Sequence, residues 1–295
     1  GHELLPAGGC ARRKTIACPY HSWTFDLDGA LRGAPSMRGS EGFDPSEFPL
    51  IAFPVREWHG FVFANLDGTA GRLEEQLGNL WDVPAPWEPA RVRRAAGHVY
   101  DAATNWKLVF ENYMECYHCP SIHPALCRVS KVGSEGGWEH VGLWAGGPME
   151  LADHAETMSL DGSSGGTRFP GLDAQQAREV VYLSVLPNLL LSLHPDYVMT
   201  HLLDPIAPGL TRVECDFLFS PETLAQPGFD PAYAADFWDV TNREDLGACE
   251  AVQRGLASAG YRPGPFAEEE LEVLAVQRMI ATGYLEGRMG RLTTA

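Results

Sequence analysis

Residues 115–123 read Glu115-Cys116-Tyr117-His118-Cys119-Pro120-Ser121-Ile122-His123, and the reading of the whole chain turns on them. Upstream, Trp106, Val109, Phe110, Tyr113 and Tyr117 recur at helical spacing, and Pro120 is expected to stop that helix. His118 and His123 stand on either side of the break. One imidazole can leave the helix end while the other swings in from the following turn. Neutral imidazoles suit Fe, Zn and Cu, and two that converge need one carboxylate more to make a facial iron site. Glu115 precedes His118 by one helical turn, so it is a ligand, an orienting partner or a solvated helix residue. Spacing alone favours the last. Cys116-x-x-Cys119 invites a redox or zinc reading, but it closes a helix instead of following a strand. No second Cys pair stands at zinc-finger spacing, so both thiols are expected to be packing residues.

Composition narrows the partners. The 295 residues carry 22 Lys+Arg against 39 Asp+Glu, a net charge of −17, and 45% are hydrophobic. A chain of this length buries an ample core without staples. Strong acidity without a basic run argues against nucleic acid and anionic membrane surfaces. No apolar stretch approaches the ~20 residues needed to span a bilayer, so no membrane segment is expected. The 7 cysteines (10, 18, 116, 119, 127, 215 and 249) are odd in number and scattered, which predicts a reducing, cytoplasmic setting. A chain that opens Gly1-His2-Glu3 without Met suggests a truncated sequence.

The pattern along the chain predicts an α+β protein. Short β-segments fill 14–33, with a hairpin at Asp28-Gly29, and more strands fill 50–66, giving a small all-β unit over 1–68. A linker over 69–91 holds a short helix at Arg72–Leu80 and the proline cluster Pro84-Ala-Pro-Trp-Glu-Pro89. A second domain over 92–295 opens with a strand at Val92–Ala102 and has loops at 133–137 and 162–166. Antiparallel strands are expected in Glu179–Ser192 and Tyr197–Phe219, then two closing helices, Asp236–Gly260 and Ala267–Gly287.

Three blocks together carry a family resemblance. Cys18-Pro-Tyr-His21-Ser-Trp-Thr-Phe-Asp-Leu-Asp-Gly resembles the second half of a Rieske [2Fe–2S] motif. Asn105-Trp106-Lys107, Glu111-Asn112, Glu115-Cys-Tyr-His118 and His123-Pro124 resemble the mononuclear-iron segment of Rieske non-haem iron oxygenase α subunits. Asn242-Arg-Glu-Asp245, followed by Cys249-Glu-Ala-Val-Gln253-Arg-Gly255, resembles the helix that supplies that family's carboxylate ligand. The order matches and the likeness covers essentially the whole chain. Glu115 stands where most aromatic-ring dioxygenases carry Asp. In this the chain looks like the branch with choline, glycine-betaine and carnitine monooxygenases and related N-demethylases.

The resemblance implies a partial Rieske domain followed by a helix-grip catalytic domain, an antiparallel sheet wrapped on a long C-terminal helix. It implies that His118, His123 and Asp245 hold Fe(II), and that Cys18 and His21 are one thiolate and one imidazole of a Cys₂His₂ cluster set. Glu115 would link an iron-ligating histidine to the cluster histidine of a neighbouring subunit, so a homotrimer is implied. Electrons would come from an NAD(P)H-dependent reductase or a ferredoxin, and dioxygen would oxidise a small organic substrate. The first cluster half, Cys-x-His followed by Arg-Gly, is expected directly before Gly1, and His2 is no substitute for it.

The substrate class stays open in the sequence. A quaternary ammonium compound would want an aromatic box, with Trp138, Trp144, Phe169, Tyr182 and Tyr197 as candidates. An aromatic substrate for dihydroxylation would want apolar walls such as Leu189, Leu191 and Leu193. His194-Pro195-Asp196 either faces substrate or makes a turn, whereas His140, His154 and His201 have no partner at ligand spacing. Two readings of other classes remain: a non-catalytic helix-grip binding module, and a zinc hydrolase using His118, His123 and Glu115.

Overall fold

The computed structural model describes residues 1–6, 12–134 and 136–287; Cys10 lies outside them. The chain forms two compact units, Gly1–Arg56 with Phe63–Thr69, and Glu57–Val62 with the chain from Ala70 onward. The first is built on an antiparallel sheet of β1 (Thr15–Ala17), β2 (Thr24–Asp26) and β3 (Leu31–Gly33). The β2–β3 turn closes because Asp26 Oδ1 accepts the N–H groups of Asp28 and Ala30, while Gly29 takes φ +86°. Trp23, Phe43 and Phe48 meet at ring separations of 5.3–5.9 Å, and Phe25 and Leu31 are buried, a small core. The hairpin β4 (Val55–Trp58) and β5 (Phe61–Ala64) is shared between the two units.

The second unit starts with α1 (Leu73–Leu77) and strand β6 (Arg93–Ala102), then three helices follow: α2 (Trp106–Tyr113), α3 (Cys119–Ile122) and α4 (Leu126–Val129). Strands β7 (Trp144–Glu150), β8 (Glu179–Val185), β9 (Leu189–Leu193), β10 (Val198–Ala207) and β11 (Leu210–Phe219) join β6 in one antiparallel sheet, ordered β6-β11-β10-β9-β8-β7. The chain closes with α5 (Pro221–Leu224), α6 (Ala232–Leu256) and α7 (Leu271–Glu286). This is the expected α+β arrangement of an antiparallel sheet with a long C-terminal helix.

Periodicity explains how sheet and helix meet. On β11, Thr211, Val213, Cys215, Phe217 and Phe219 are buried and alternate with Arg212, Glu214 and Asp216, so one face turns inward. On α6 the buried residues are Ala234, Ala235, Phe237, Trp238, Thr241, Asn242 and Cys249, a stripe at helical spacing. Hydrogen bonds fix the packing: Tyr100 Oη of β6 donates to Asp239 Oδ1, and Trp238 Nε1 donates to Tyr197 Oη, each at 2.7–2.8 Å.

Two expectations are corrected here. The helix from Trp106 ends at Tyr113, with Met114 as its cap, and Pro120 opens α3 instead of stopping α2. Proline fits there because its missing N–H falls in a first turn that has no helical acceptor. Cys116 and Cys119 are not packing thiols but are disulfide-bonded, with Cα atoms 4.9 Å apart. The early helix end is the reason: Cys119 N–H donates to Cys116 O in a turn, which brings the two side chains together.

Strand β7 is thin by composition. Gly146 has φ +136°, and a Cβ placed there would lie 2.0 Å from Tyr182 O on β8. Gly146→Ala is therefore expected to destabilise the protein by about 3 kcal/mol or more in urea unfolding. A loss under about 1 kcal/mol would mean that β7 can move away from β8.

Candidate functional site

Asn105 caps α2 by accepting Lys107 N–H at 3.1 Å, and Tyr113 at the other end hydrogen-bonds Ser192 on β9 at 2.6 Å. The helix exit is thus pinned against the sheet. Glu115 follows in a short segment between α2 and α3 and accepts the backbone N–H of His118 at 3.2 Å. His118 then caps the start of the one-turn helix α3, and His123 ends it. A spacing of five around one short turn brings the two Nε2 atoms within 3.2 Å.

The third group comes from far along the chain. Asp245 lies on the stripe of α6 that carries Trp238, Thr241, Asn242 and Cys249, so the packing that buries the helix also aims its carboxylate inward. Asp245 Oδ1 is 2.8 Å from His123 Nε2 and 3.3 Å from His118 Nε2. The opposite ring nitrogens are also held. His118 Nδ1 contacts Glu115 Oε1, and His123 Nδ1 donates to Glu244 Oε2 at 2.8 Å. A proton fixed on each Nδ1 leaves both Nε2 lone pairs facing Asp245, the tautomer a metal needs.

Charge follows the geometry. Burial alone would lower the His118 imidazole, but Asp245 and Glu115 outweigh it and raise it from 6.5 to about 9. His123 is raised in the same way against its own burial, by Asp245 and then Glu244. Burial pushes the Asp245 carboxyl up, yet the two histidines hold it below its usual value. The cluster calls for positive charge. Bonds of about 2.1 Å at right angles put neighbouring donors about 3 Å apart, so two imidazoles and one carboxylate at 2.8–3.3 Å fit a divalent iron. Cys119 Sγ is 3.9 Å from His118 Nε2 but is committed to Cys116, which leaves the carboxylate as third donor.

A cavity of about 640 Å³ opens on this cluster. Tyr113, Tyr182 and Trp238 supply aromatic wall, Gly136, Gly137, Gly146 and Gly147 supply bare backbone, and Glu268, Glu269 and Glu272 supply carboxylates. Of the expected pocket residues only Tyr182 is among its lining. His194 and Tyr197 are corrected: both are fully buried, stacked ring on ring at 4.0 Å, and not part of the cavity wall. His194 N–H closes a turn onto Tyr197 O, and buried Asp196 accepts from Thr157, Ser164 and Tyr233. The His194-Pro195-Asp196 segment is a structural turn. Trp138, Trp144 and Phe169 also lie off the cavity, and Leu189, Leu191 and Leu193 are buried within β9.

Of the histidines set aside, His154 is exposed. His201 lines the cavity with its Nε2 donating to Asn242 Oδ1 at 3.1 Å, and its alternation with Met199 and Leu203 on β10 was the signal available. His140 is buried and faces Glu272 at 3.4 Å. Glu244 had no sequence signal apart from its place beside Asp245. Cys18 and His21 occupy the β1–β2 turn of the other unit, the thiol free and half-buried, the imidazole exposed. Among the described residues they offer half of a Cys₂His₂ set.

Comparison with known proteins agrees with both units. Residues 1–53 match the Rieske [2Fe-2S] domain, and residues 89–286 match the ring hydroxylating alpha subunit (catalytic domain). The chain is 32% identical over 266 residues to the carnitine monooxygenase oxygenase subunit of Acinetobacter baumannii, covering 89% of this chain and 68% of that one. It is 27% identical to the glycine betaine monooxygenase oxygenase subunit of Pseudomonas aeruginosa, covering 86% and 65%. Its structure superposes on the quaternary ammonium Rieske monooxygenase CntA with TM-score 0.80 and 27% identity, covering 96% and 75%. The chain thus spans about two thirds of the length of these sequence relatives. Members of this family are oxidoreductases that carry a Rieske [2Fe–2S] cluster and a non-haem iron and take electrons from a reductase. With the two-histidine, one-aspartate cluster at a cavity floor and these matches on both units, the chain belongs to the ring-hydroxylating α subunits of the Rieske non-haem iron oxygenases.

Proposed function

We propose that this chain is the catalytic part of an oxygenase that hydroxylates or N-demethylates a small quaternary ammonium compound. One observation carries the reading: His118 Nε2, His123 Nε2 and Asp245 Oδ1 converge within 3.3 Å beside a cavity walled by aromatic rings and carboxylates. Cations are attracted to ring faces, and a carboxylate wall adds to that attraction. A neutral arene would gain nothing from Glu268, Glu269 and Glu272, so ring dihydroxylation is the weaker alternative. A bare binding module has no use for a histidine pair whose Nδ1 atoms are both tied to carboxylates. A zinc hydrolase needs Glu115 at the ion or its water, whereas Glu115 is spent on the far side of His118.

In this reading His118, His123 and Asp245 hold Fe(II), which when bound activates dioxygen with electrons from the reductase. Glu115 keeps the Nδ1 proton of His118 and sets its ring direction, and Glu244 does the same for His123. Tyr113, Tyr182 and Trp238 orient the substrate and keep water from it. We also assign Glu115 to the electron route, reached from His21 of a neighbouring copy in a homotrimer. A cytoplasmic location, with NAD(P)H and a reductase or ferredoxin at hand, belongs to the same proposal.

His118→Ala and Asp245→Ala are each expected to abolish iron binding, measured by colorimetric iron content of the purified protein. Full iron occupancy in either variant rejects the ligand set. Glu244→Gln should weaken iron binding about 10–100-fold in a chelator competition. An unchanged affinity would reduce Glu244 to a surface contact. Glu115→Gln is expected to retain iron and lose turnover in the reductase-coupled assay, and sustained turnover would send the electrons by another route.

A further inference from the structure

The cavity carries charge of one sign. Glu268 and Glu269 stand in the turn before α7, and Glu272 lies in the first turn of that helix, all three in the wall that also contains Glu115 and Asp245. No Lys or Arg is among the described residues that line it. Glu272 is fixed, not swinging in solvent: its side chain is 20% exposed, and Oε2 accepts Gly146 N–H at 3.2 Å and faces His140 Nε2 at 3.4 Å. Gly137 gives it room, since a Cβ there would lie 2.2 Å from Glu272 Oε1. Burial raises the Glu272 carboxyl, and His140 with the Gly146 N–H favours the charged form against it.

His201 is an independent observation in the same wall. It is 5% exposed, and its Nε2–H is committed to Asn242 Oδ1, whose own amide nitrogen is turned to Cys215 Sγ at 3.6 Å. Burial lowers this imidazole to about 4, so it adds no positive charge near neutral pH. Its Nδ1 is buried without a partner. With its one N–H committed to Asn242, a neutral imidazole here has no donor left to offer a substrate carboxylate.

We propose that this cavity selects an organic cation that has no carboxylate of its own, with Glu272, Glu268 and Glu269 as the selecting residues. Cation recognition follows from attraction to the acidic wall and to the faces of Tyr113, Tyr182 and Trp238. Rejection of zwitterions follows from repulsion by the same carboxylates, with no Lys or Arg among the described lining residues to offset it away from the histidine–aspartate cluster. The selection rests on the oxygenase reading above and narrows it to one class of quaternary ammonium compound.

Titration calorimetry on the iron-loaded protein tests this with four probes: choline, tetramethylammonium, glycine betaine and L-carnitine. Choline and tetramethylammonium are expected to bind at least ~10-fold more tightly than either zwitterion. Glu272→Gln should weaken choline about 10-fold while leaving glycine betaine unchanged or tighter, with iron content as the control for folding. Should that variant not fold, exposed Glu269→Gln carries the same test, with a choline-over-betaine ratio reduced about 3-fold. Equal or tighter zwitterion binding, binding of none of the four, or a ratio unmoved in a folded variant overturns the proposal. A wild-type protein that fails to load iron overturns the metal reading instead, so the two failures are told apart.

Discussion

Two imidazoles held 3.2 Å apart, nitrogen to nitrogen, set the terms for the rest of this fold. Protonated together they repel, and neutral together they present two lone pairs to each other. Neither state is tolerable without a third group, which Asp245 supplies from 122 residues away in sequence. Glu115 and Glu244 then fix which nitrogen of each ring faces inward. Three carboxylates around two neutral imidazoles leave a charge of −3, which a divalent ion reduces to −1. The protein meets this demand with protons when no metal is bound, which is why both histidines hold theirs more tightly than free imidazole does.

Everything that positions Asp245 is ordinary packing. Its helix is amphipathic, and the carboxylate interrupts a buried stripe between Asn242 and Cys249. An unpaired carboxylate there would cost several kcal/mol, so the helix face and the histidine pair have to be matched to each other. On the opposite side, Tyr113 ties the end of α2 to β9 through Ser192, fixing where the chain turns toward Glu115. The cavity beside the cluster exists for a complementary reason. At Gly146 and Gly147 strand β7 carries no side chains where it passes Tyr182 and Gly136, so backbone and not bulk forms that wall.

The parts of this arrangement that sequence made legible are those with local periodicity or a linear motif. The histidine pair, the alternation through Tyr197–Phe219 and a closing helix over Asp236–Gly260 were all legible along the chain. Asp245 needed the family resemblance, because one acid on an amphipathic helix has no signature of its own. The pocket was misjudged for a physical reason: His194 and Tyr197 are polar interruptions beside a buried strand, but the strand end folds them into a turn around Asp196. Trp238 sits on the helix across from the sheet, and nothing in its neighbours' spacing says that its ring reaches the cavity. Pro120 was read as a helix stop when it starts a new helix, since proline satisfies both roles and only the preceding chain path separates them.

The histidine–aspartate cluster and the cavity wall also constrain each other. With three carboxylates near the histidines and three more at Glu268, Glu269 and Glu272, the region collects negative charge faster than one divalent ion can cancel it. A wall of that sign costs stability unless something positive occupies the space it surrounds, and the glycine-lined β7 keeps that space open. His140, outside the cavity, relieves part of the load on Glu272, but it does not reach Glu268 or Glu269 in the structure. In the proposed function a bound organic cation would relieve the rest, in the cavity beside the histidine–aspartate cluster. On this argument the excess of acid is no surface accident. In the proposed function it is the counterpart, in the protein, of the positive charge that a quaternary ammonium substrate would bring.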